Sequence, residues 1–221
     1  MALGYPVTVI DNFFEEPDAI VELADSVEYT QTPTGNYPGK RSKPLQEINE
    51  RLFMYLGRKI YTIFQVKEPE YWELKVTFQK IKSFYPQDQY NLLNKGWIHT
   101  DNTPYFGGVI YLDKNPEPDT GTSIYKLKKG YTFQFQDELK EKQALYTEKE
   151  INIENYNKYL TNIYEMYEET VRINNVYNRF VLFDGNNHHG AQTYGTKERL
   201  TLNFFGTDMQ GYKPPLMRGE R

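Results

Sequence analysis

The chain has 221 residues, and its 26 Lys and Arg against 30 Asp and Glu give a formal charge of −4. With an isoelectric point near 5.5, it lacks the basic footprint expected of a nucleic-acid or anionic-membrane binder. It contains no Cys, which excludes disulfide scaffolds, thiol nucleophiles and Cys-ligated zinc or iron–sulfur centres.

No apolar run approaches the ~18 residues of a membrane span. The stretch MALGYPVTVIDNFF has no basic start and meets Asp11 early, unlike a signal peptide. A cytoplasmic location is the expectation. Mean hydropathy is low at −0.76, yet 20 Tyr and 13 Phe argue for a folded chain with an aromatic core.

In chain order, Tyr5 to Ile10 reads as a short strand. Glu16 to Val27 reads as a helix, with Pro17 in its first turn and Ile20, Val21 and Leu23 on one face. Residues 30–45 are loop-like, rich in Pro, Gly and Thr. A second helix is predicted from Leu45 to Phe64, with Ile48, Leu52, Leu56 and Ile60 on one side.

From Leu74 the period changes to two. Strand-like runs are predicted at 88–93, 97–101, 105–112, 121–127, 131–136, 177–183, 190–194 and 198–205. Many short strands at this spacing indicate an antiparallel sandwich or barrel. Residues 138–170 interrupt the pattern. There Tyr156, Leu160, Ile163 and Tyr167 make a helical stripe. This insertion reads as a helix on the outside of a sheet, with a lid or homodimer contact as the sharper alternative. The tail from 208 to 221 is expected to be extended, because Pro214–Pro215 forbids helix.

The chemistry-bearing stretch is Trp97-Ile98-His99-Thr100-Asp101. On a strand, His99 and Asp101 would point to one side. A third ligand from the downstream pair His188–His189 would complete a two-histidine, one-carboxylate facial triad, a set suited to non-haem Fe(II). Further on, alternation places Arg199, Thr201, Asn203 and Phe205 on one face and Leu200, Leu202 and Phe204 on the other. An inward Arg requires an anion, and a carboxylate held bidentately is the natural partner.

From Lys82 to Phe205, apart from the insertion, the sequence resembles the 2-oxoglutarate/Fe(II)-dependent oxygenases, in particular the prolyl-4-hydroxylase-like branch. "HTDN" is similar to its metal motif. "VIYLDKN" resembles the strand whose Tyr helps hold the distal carboxylate of 2-oxoglutarate. "TGTSIYK" resembles a Gly-Gly-x-Leu strand, and "NRFVLFDGNNHHGAQTYGTKERLTLNFF" resembles the segment with the distal His and the co-substrate Arg. "VIDNFFEEPDAIVELA" and "YPGKRS" resemble an uncharacterised subgroup that includes phage-type sequences.

The resemblance implies a double-stranded β-helix (jelly roll), mainly β with flanking helices. It implies one oxygenase domain over 1–221, with an N-terminal α/β support at 1–73 and the jelly-roll core at 74–207. The implied metal ligands are His99, Asp101 and His189, the last chosen over His188 by the family's spacing of about ten residues to the Arg. Arg199 and Tyr111 would hold 2-oxoglutarate, with Asn203 and Tyr85 as weaker candidates, Tyr85 through "FYP". Tyr37 and Arg41 are candidate substrate contacts.

Fe(II), 2-oxoglutarate and O2 are the implied cofactor and co-substrates. The implied reaction hydroxylates a C–H bond of a peptide, prolyl or otherwise, or of a small molecule, and releases succinate and CO2. The carboxylate at Asp101 speaks for hydroxylation over halogenation. Phe205, where a second Arg is expected in nucleic-acid demethylases, speaks against that branch. The competing readings are a jelly-roll metal-binding protein and a cupin-like metal enzyme that does not use 2-oxoglutarate.

Overall fold

A computed structural model describes residues 7–31, 36–64, 71–101, 105–132, 138–147 and 149–210, with side chains undescribed at 138–141 and Met209. Its elements run β1 (Val7–Ile10), α1 (Pro17–Ser26), β2 (Tyr29–Thr30), β3 (Lys40–Ser42), α2 (Leu45–Ile48), α3 (Glu50–Phe64), β4 (Trp72–Ile81), β5 (Phe106–Tyr111) and β6 (Thr122–Leu127). Then follow α4 (Glu138–Tyr146), α5 (Ile153–Met166), β7 (Tyr167–Ile173), β8 (Phe180–Asp184), β9 (His188–Ala191) and β10 (Arg199–Met209).

The strands form two sheets, one ordered β1-β8-β5-β10-β4-β3-β2 and a smaller one ordered β7-β6-β9. Every pairing is antiparallel. The result is a distorted double-stranded β-helix with flanking helices. Strand β10 is the spine of the larger sheet, with Leu202 opposite Phe78 on β4 and Ile110 on β5.

Alternation along β10 separates two environments. Leu200, Leu202 and Phe204 enter a core with Val76 and Phe78 of β4, Leu56 and Ile60 of α3, and Ala24 of α1. A second cluster packs β5 and β8 against β6 and β7 through Val109, Ile124, Val181 and Phe183. A third lays α4 and α5 beside the smaller sheet through Tyr125, Tyr146, Tyr156, Leu160 and Ile163.

Four expectations need correction. The helix expected over Leu45–Phe64 is two. Asn49 leaves helical geometry at φ −154° and ψ 88°, and its side-chain oxygen accepts from the Leu52 amide at 3.0 Å, capping α3. The helical stripe expected to reach Tyr167 ends at Met166, and the segment Glu168–Ile173 continues as β7, paired with β6. Its β-branched Thr170, Val171 and Ile173 favour that outcome.

The expected strand at 88–93 is instead turns ending in a 3₁₀ turn at Leu92–Asn94. Asn94 causes this. It is fully buried, accepts from the Ser83 hydroxyl and the amides of Phe84 and Tyr85, and donates to the carbonyls of Tyr85 and Asp88. Residues 97–101 form no strand, only a bridge between His99 and His189. The expected strand at 131–136 falls mostly outside the described residues, as does the tail from 211 onward, whereas Asp208 and Met209 belong to β10.

Candidate metal and co-substrate site

A cavity of about 470 Å³ opens on the face of β10 away from the helical core. Arg199, Thr201, Asn203 and Phe205 all line it, as do His99, Asp101 and His189. The bridge holds the two histidines together: the His99 amide donates to the His189 carbonyl at 3.0 Å, and the His189 amide to the His99 carbonyl at 2.8 Å. Their rings lie 4.5 Å apart, and the His189 ring also rests 4.3 Å from Phe183.

The imidazoles are oriented by their backbone. His99 Nδ1 lies 2.8 Å from the Trp97 carbonyl and His189 Nδ1 2.9 Å from the Asn187 carbonyl. A carbonyl only accepts, so both Nδ1 atoms carry the proton and both Nε2 atoms keep a lone pair. Those Nε2 atoms face one carboxylate: His99 to Asp101 Oδ1 is 3.9 Å, and His189 to Asp101 Oδ2 is 3.6 Å. One ligand atom from each residue falls within 4.8 Å of the others. These gaps are too long for hydrogen bonds and suit three donors around one ion.

Burial, with the nearby Lys142 charge, holds the His99 pKa well below the ordinary imidazole value, so the ring stays neutral and its Nε2 lone pair stays available to a metal. A methyl on Gly107 would come within 2.8 Å of Asp101 Oδ2. The carboxylate therefore needs a residue without a side chain beneath it. His188 sits elsewhere. It pairs with Tyr125 while His189 pairs with Ile124, and it packs 4.9 Å from the Tyr167 ring, away from the cavity.

Arg199 is 6% exposed. Its Nε has no hydrogen-bond partner among the described residues, and none of them forms an ion pair with it. Its Cζ lies 5.4 Å from the Tyr111 ring. The nearby Asp113 does not pair with it. That carboxylate accepts from the Leu200 amide at 2.9 Å, and burial pushes its pKa up against the lowering effect of Arg199. A buried guanidinium with an unsatisfied donor marks a place for an anion.

The remaining expected residues separate. Tyr111 is fully buried and donates to Thr122 Oγ1 at 2.8 Å, so Thr122 rather than Tyr111 lines the cavity. Asn203 lines it and donates to Gln79. Tyr85 does not: it is 40% exposed on the loop pinned by Asn94. Tyr37 and Arg41 both border the cavity. Reading from sequence missed Gln79, Thr122, Lys142 and Tyr194, also on its walls. Of these only Gln79 carried a signal, as the polar break in the apolar series of β4.

The model of DUF6445, described as a family of unknown function, matches residues 2–205. The chain belongs to this family. No curated protein matches this DUF6445 chain. Among solved structures it is similar to HygX from Streptomyces hygroscopicus with nickel and 2-oxoglutarate bound. There the identity is 13% and the TM-score 0.55, covering 95% of this chain and 85% of that one.

It is also similar to an oxidoreductase of the 2OG-Fe(II) oxygenase family from Burkholderia pseudomallei, at 12% identity and TM-score 0.51, over 91% and 84% of the two chains. A third is a Trichoplax adhaerens prolyl hydroxylase in complex with a hypoxia inducible factor peptide, at 12% and 0.51, over 91% and 83%. At these identities the likeness is one of fold, and the DUF6445 chain shares the double-stranded β-helix of the 2-oxoglutarate oxygenases.

Proposed function

We propose that this DUF6445 chain is a single-domain Fe(II)- and 2-oxoglutarate-dependent dioxygenase that hydroxylates a C–H bond. One observation carries the reading: two imidazoles with Nδ1 tied to backbone carbonyls turn their Nε2 lone pairs on one carboxylate, in the cavity that Arg199 enters. The donor set is two nitrogens and a carboxylate oxygen without thiolate, which fits Fe(II) and leaves coordination positions for a chelating co-substrate. The neighbours' contents, nickel or iron and 2-oxoglutarate in HygX, support the same reading. So does the sequence resemblance to the prolyl-hydroxylase-like branch.

Bound Fe(II), with 2-oxoglutarate and O2, would supply the oxidising power for the hydroxylation and release succinate and CO2. The chain's own residues do the rest. His99, Asp101 and His189 would hold the metal, with the carbonyls of Trp97 and Asn187 fixing the ring angles. Arg199 would grip the far carboxylate of 2-oxoglutarate with two parallel N–H donors. Thr201, 2% exposed, and Thr122 offer hydroxyls on the same wall, and Tyr111 orients Thr122. Trp97, Val109 and Phe183 give the cavity apolar walls that limit water around the reacting centre.

Arg199 variants test the proposal. Arg199→Ala should raise the apparent KM for 2-oxoglutarate by about 100-fold or more, with metal affinity within about twofold of the unaltered chain. Arg199→Lys should recover only part, because an ammonium makes a point contact. Steady-state succinate formation and a metal titration read the two effects separately. Unchanged 2-oxoglutarate dependence in Arg199→Ala would remove the proposed role.

A further inference from the structure

Two more cations enter the same cavity, and neither belongs to the centre just described. Arg41 comes from β3, opposite Gln79 on β4. Its Cζ stacks 3.7 Å from the Tyr37 ring and lies 5.8 Å from the Phe205 ring. Its Nε is buried with no hydrogen-bond partner among the described residues. Lys142 comes from α4, far away in sequence, and is 9% exposed. Its ammonium lies 5.8 Å from the Tyr146 ring, and no described residue hydrogen-bonds or ion-pairs with it. Burial pushes the Lys142 pKa down to about 8, with Asp101 opposing, and that of Arg41 down to about 10, with Tyr37 and Asp101 opposing.

The segments that carry these cations are clasped together. Gln143 donates to the Asn36 side chain at 2.7 Å, and Gln31 donates to the Tyr146 carbonyl. Both clasped cations interact with the Asp101 charge, whereas Arg199 lies against Tyr111 and interacts with Asp113. Among the described residues that line the cavity, Arg41, Lys142 and Arg199 stand with one carboxylate, Asp101. A divalent ion and the dianion 2-oxoglutarate cancel each other, so among the described groups two positive charges in excess would remain in the cavity. Uncompensated buried charge is costly, and a chain that keeps it has a counter-charge arriving from outside.

We propose that the substrate is a small acid whose oxyanion, a carboxylate or a phosphate, is held between Arg41 and Lys142 above the His99–Asp101–His189 centre. This rests on the dioxygenase reading and adds the substrate class to it. The Tyr37 ring under the guanidinium fixes the direction of its donors, and Lys142 closes the opposite side as a point charge. The depth of Lys142 favours a small molecule over an acidic peptide side chain, which would have to bring its backbone under the clasp. Because the charge is anchored beside the metal, the C–H bond presented for oxidation lies within a few bonds of the acid group.

The test uses the full chain loaded with Ni(II) and 2-oxoglutarate, titrated with inorganic phosphate or acetate at constant ionic strength. Thermal unfolding and calorimetry are the readouts, so turnover is not needed. At least one anion should raise Tm by about 2–4 °C over the chloride control. The better anion distinguishes a phosphomonoester from a carboxylic acid. Arg41→Gln and Lys142→Gln should each weaken that anion at least about tenfold, with 2-oxoglutarate affinity within about twofold of the unaltered chain. Arg41→Lys should retain the fold and lose part of the effect. If neither anion stabilises the loaded protein beyond chloride, or if the Gln variants bind as tightly as the unaltered chain, the inference is overturned. Failure of 2-oxoglutarate itself to bind would instead bring down the dioxygenase reading, and the inference with it.

Discussion

His188 and His189 are adjacent in the chain and chemically identical, yet only one reaches the cavity. The pleat of β9 decides between them: His189 sits across from Ile124 and turns inward, and His188 sits across from Tyr125 and meets Tyr167. The pair His99 and Asp101 was legible through the resemblance of HTDN to a metal motif; the strand that its spacing of two presupposed is absent, and the bridge from His99 to His189 takes its place. Arg199 was legible because its neighbours alternate. Lys142 was not, since α4 shows no apolar stripe that would tell a buried lysine from a solvated one. Its position follows from packing of α4 over Trp97 and Tyr156.

Lys142 makes a prediction about pH. Its folded pKa of about 8 lies below the 10.5 of a free lysine. Between those values the unfolded chain binds more protons, so stability rises with pH. The metal-free protein should gain Tm from pH 8 to about 9.5, below the range where exposed tyrosines ionise. Lys142→Met should flatten that rise and give a higher Tm at pH 7.5. A profile identical in the two proteins would show that the ammonium is solvated.

At the scale of elements, the described part of the segment between β4 and β5 holds no strand and carries two of the three candidate ligands. It has no strand ladder to hold it. The Asn94 side chain substitutes for one, binding the backbone of 84, 85 and 88 before the chain turns to Gly96, whose amide donates to the Ala191 carbonyl at 3.0 Å. Sequence patterning reads residues 88–93 as a strand because Tyr90, Leu92 and Leu93 look β-like. It cannot register one buried amide satisfying five partners.

Asn94→Ala would leave the Phe84 and Tyr85 amides without acceptors, at a cost of about 2–4 kcal/mol. For a chain of this size that lowers Tm by several degrees, at roughly 2–4 °C per kcal/mol. Metal affinity should fall in parallel, since His99 lies only five residues on. Thermal unfolding monitored by circular dichroism checks this, and an unchanged Tm would show that the loop is held elsewhere. Another misread element, β7, follows the same logic. A helical stripe ended where Thr170 and Val171 could pair with β6, and tertiary pairing outweighed the local pattern.

For the molecule as a whole, the larger sheet works as a partition. Its outer face binds α1 and α3 through the apolar set of β4, β5, β8 and β10. Its inner face gives the cavity Gln79, Arg199, Thr201 and Asn203. The sheet class was legible from the switch to a period of two. The division of labour between the faces was legible only along β10, where polar and apolar residues alternate cleanly. On β5 every residue is buried, so alternation there carries no information, and the Tyr111 hydroxyl meets Thr122 instead of the cavity.

The central proposition is that the cavity holds Fe(II) through His99, Asp101 and His189 and joins it to 2-oxoglutarate. Anaerobic titration of the metal-free protein with Fe(II), with and without 2-oxoglutarate, followed in the visible spectrum, tests it most directly. A metal-to-ligand charge-transfer band should appear at one equivalent of iron only when 2-oxoglutarate is present. It should be lost in His189→Ala and kept in His188→Ala. Iron binding without the band, or a band that survives His189→Ala, would contradict the assignment.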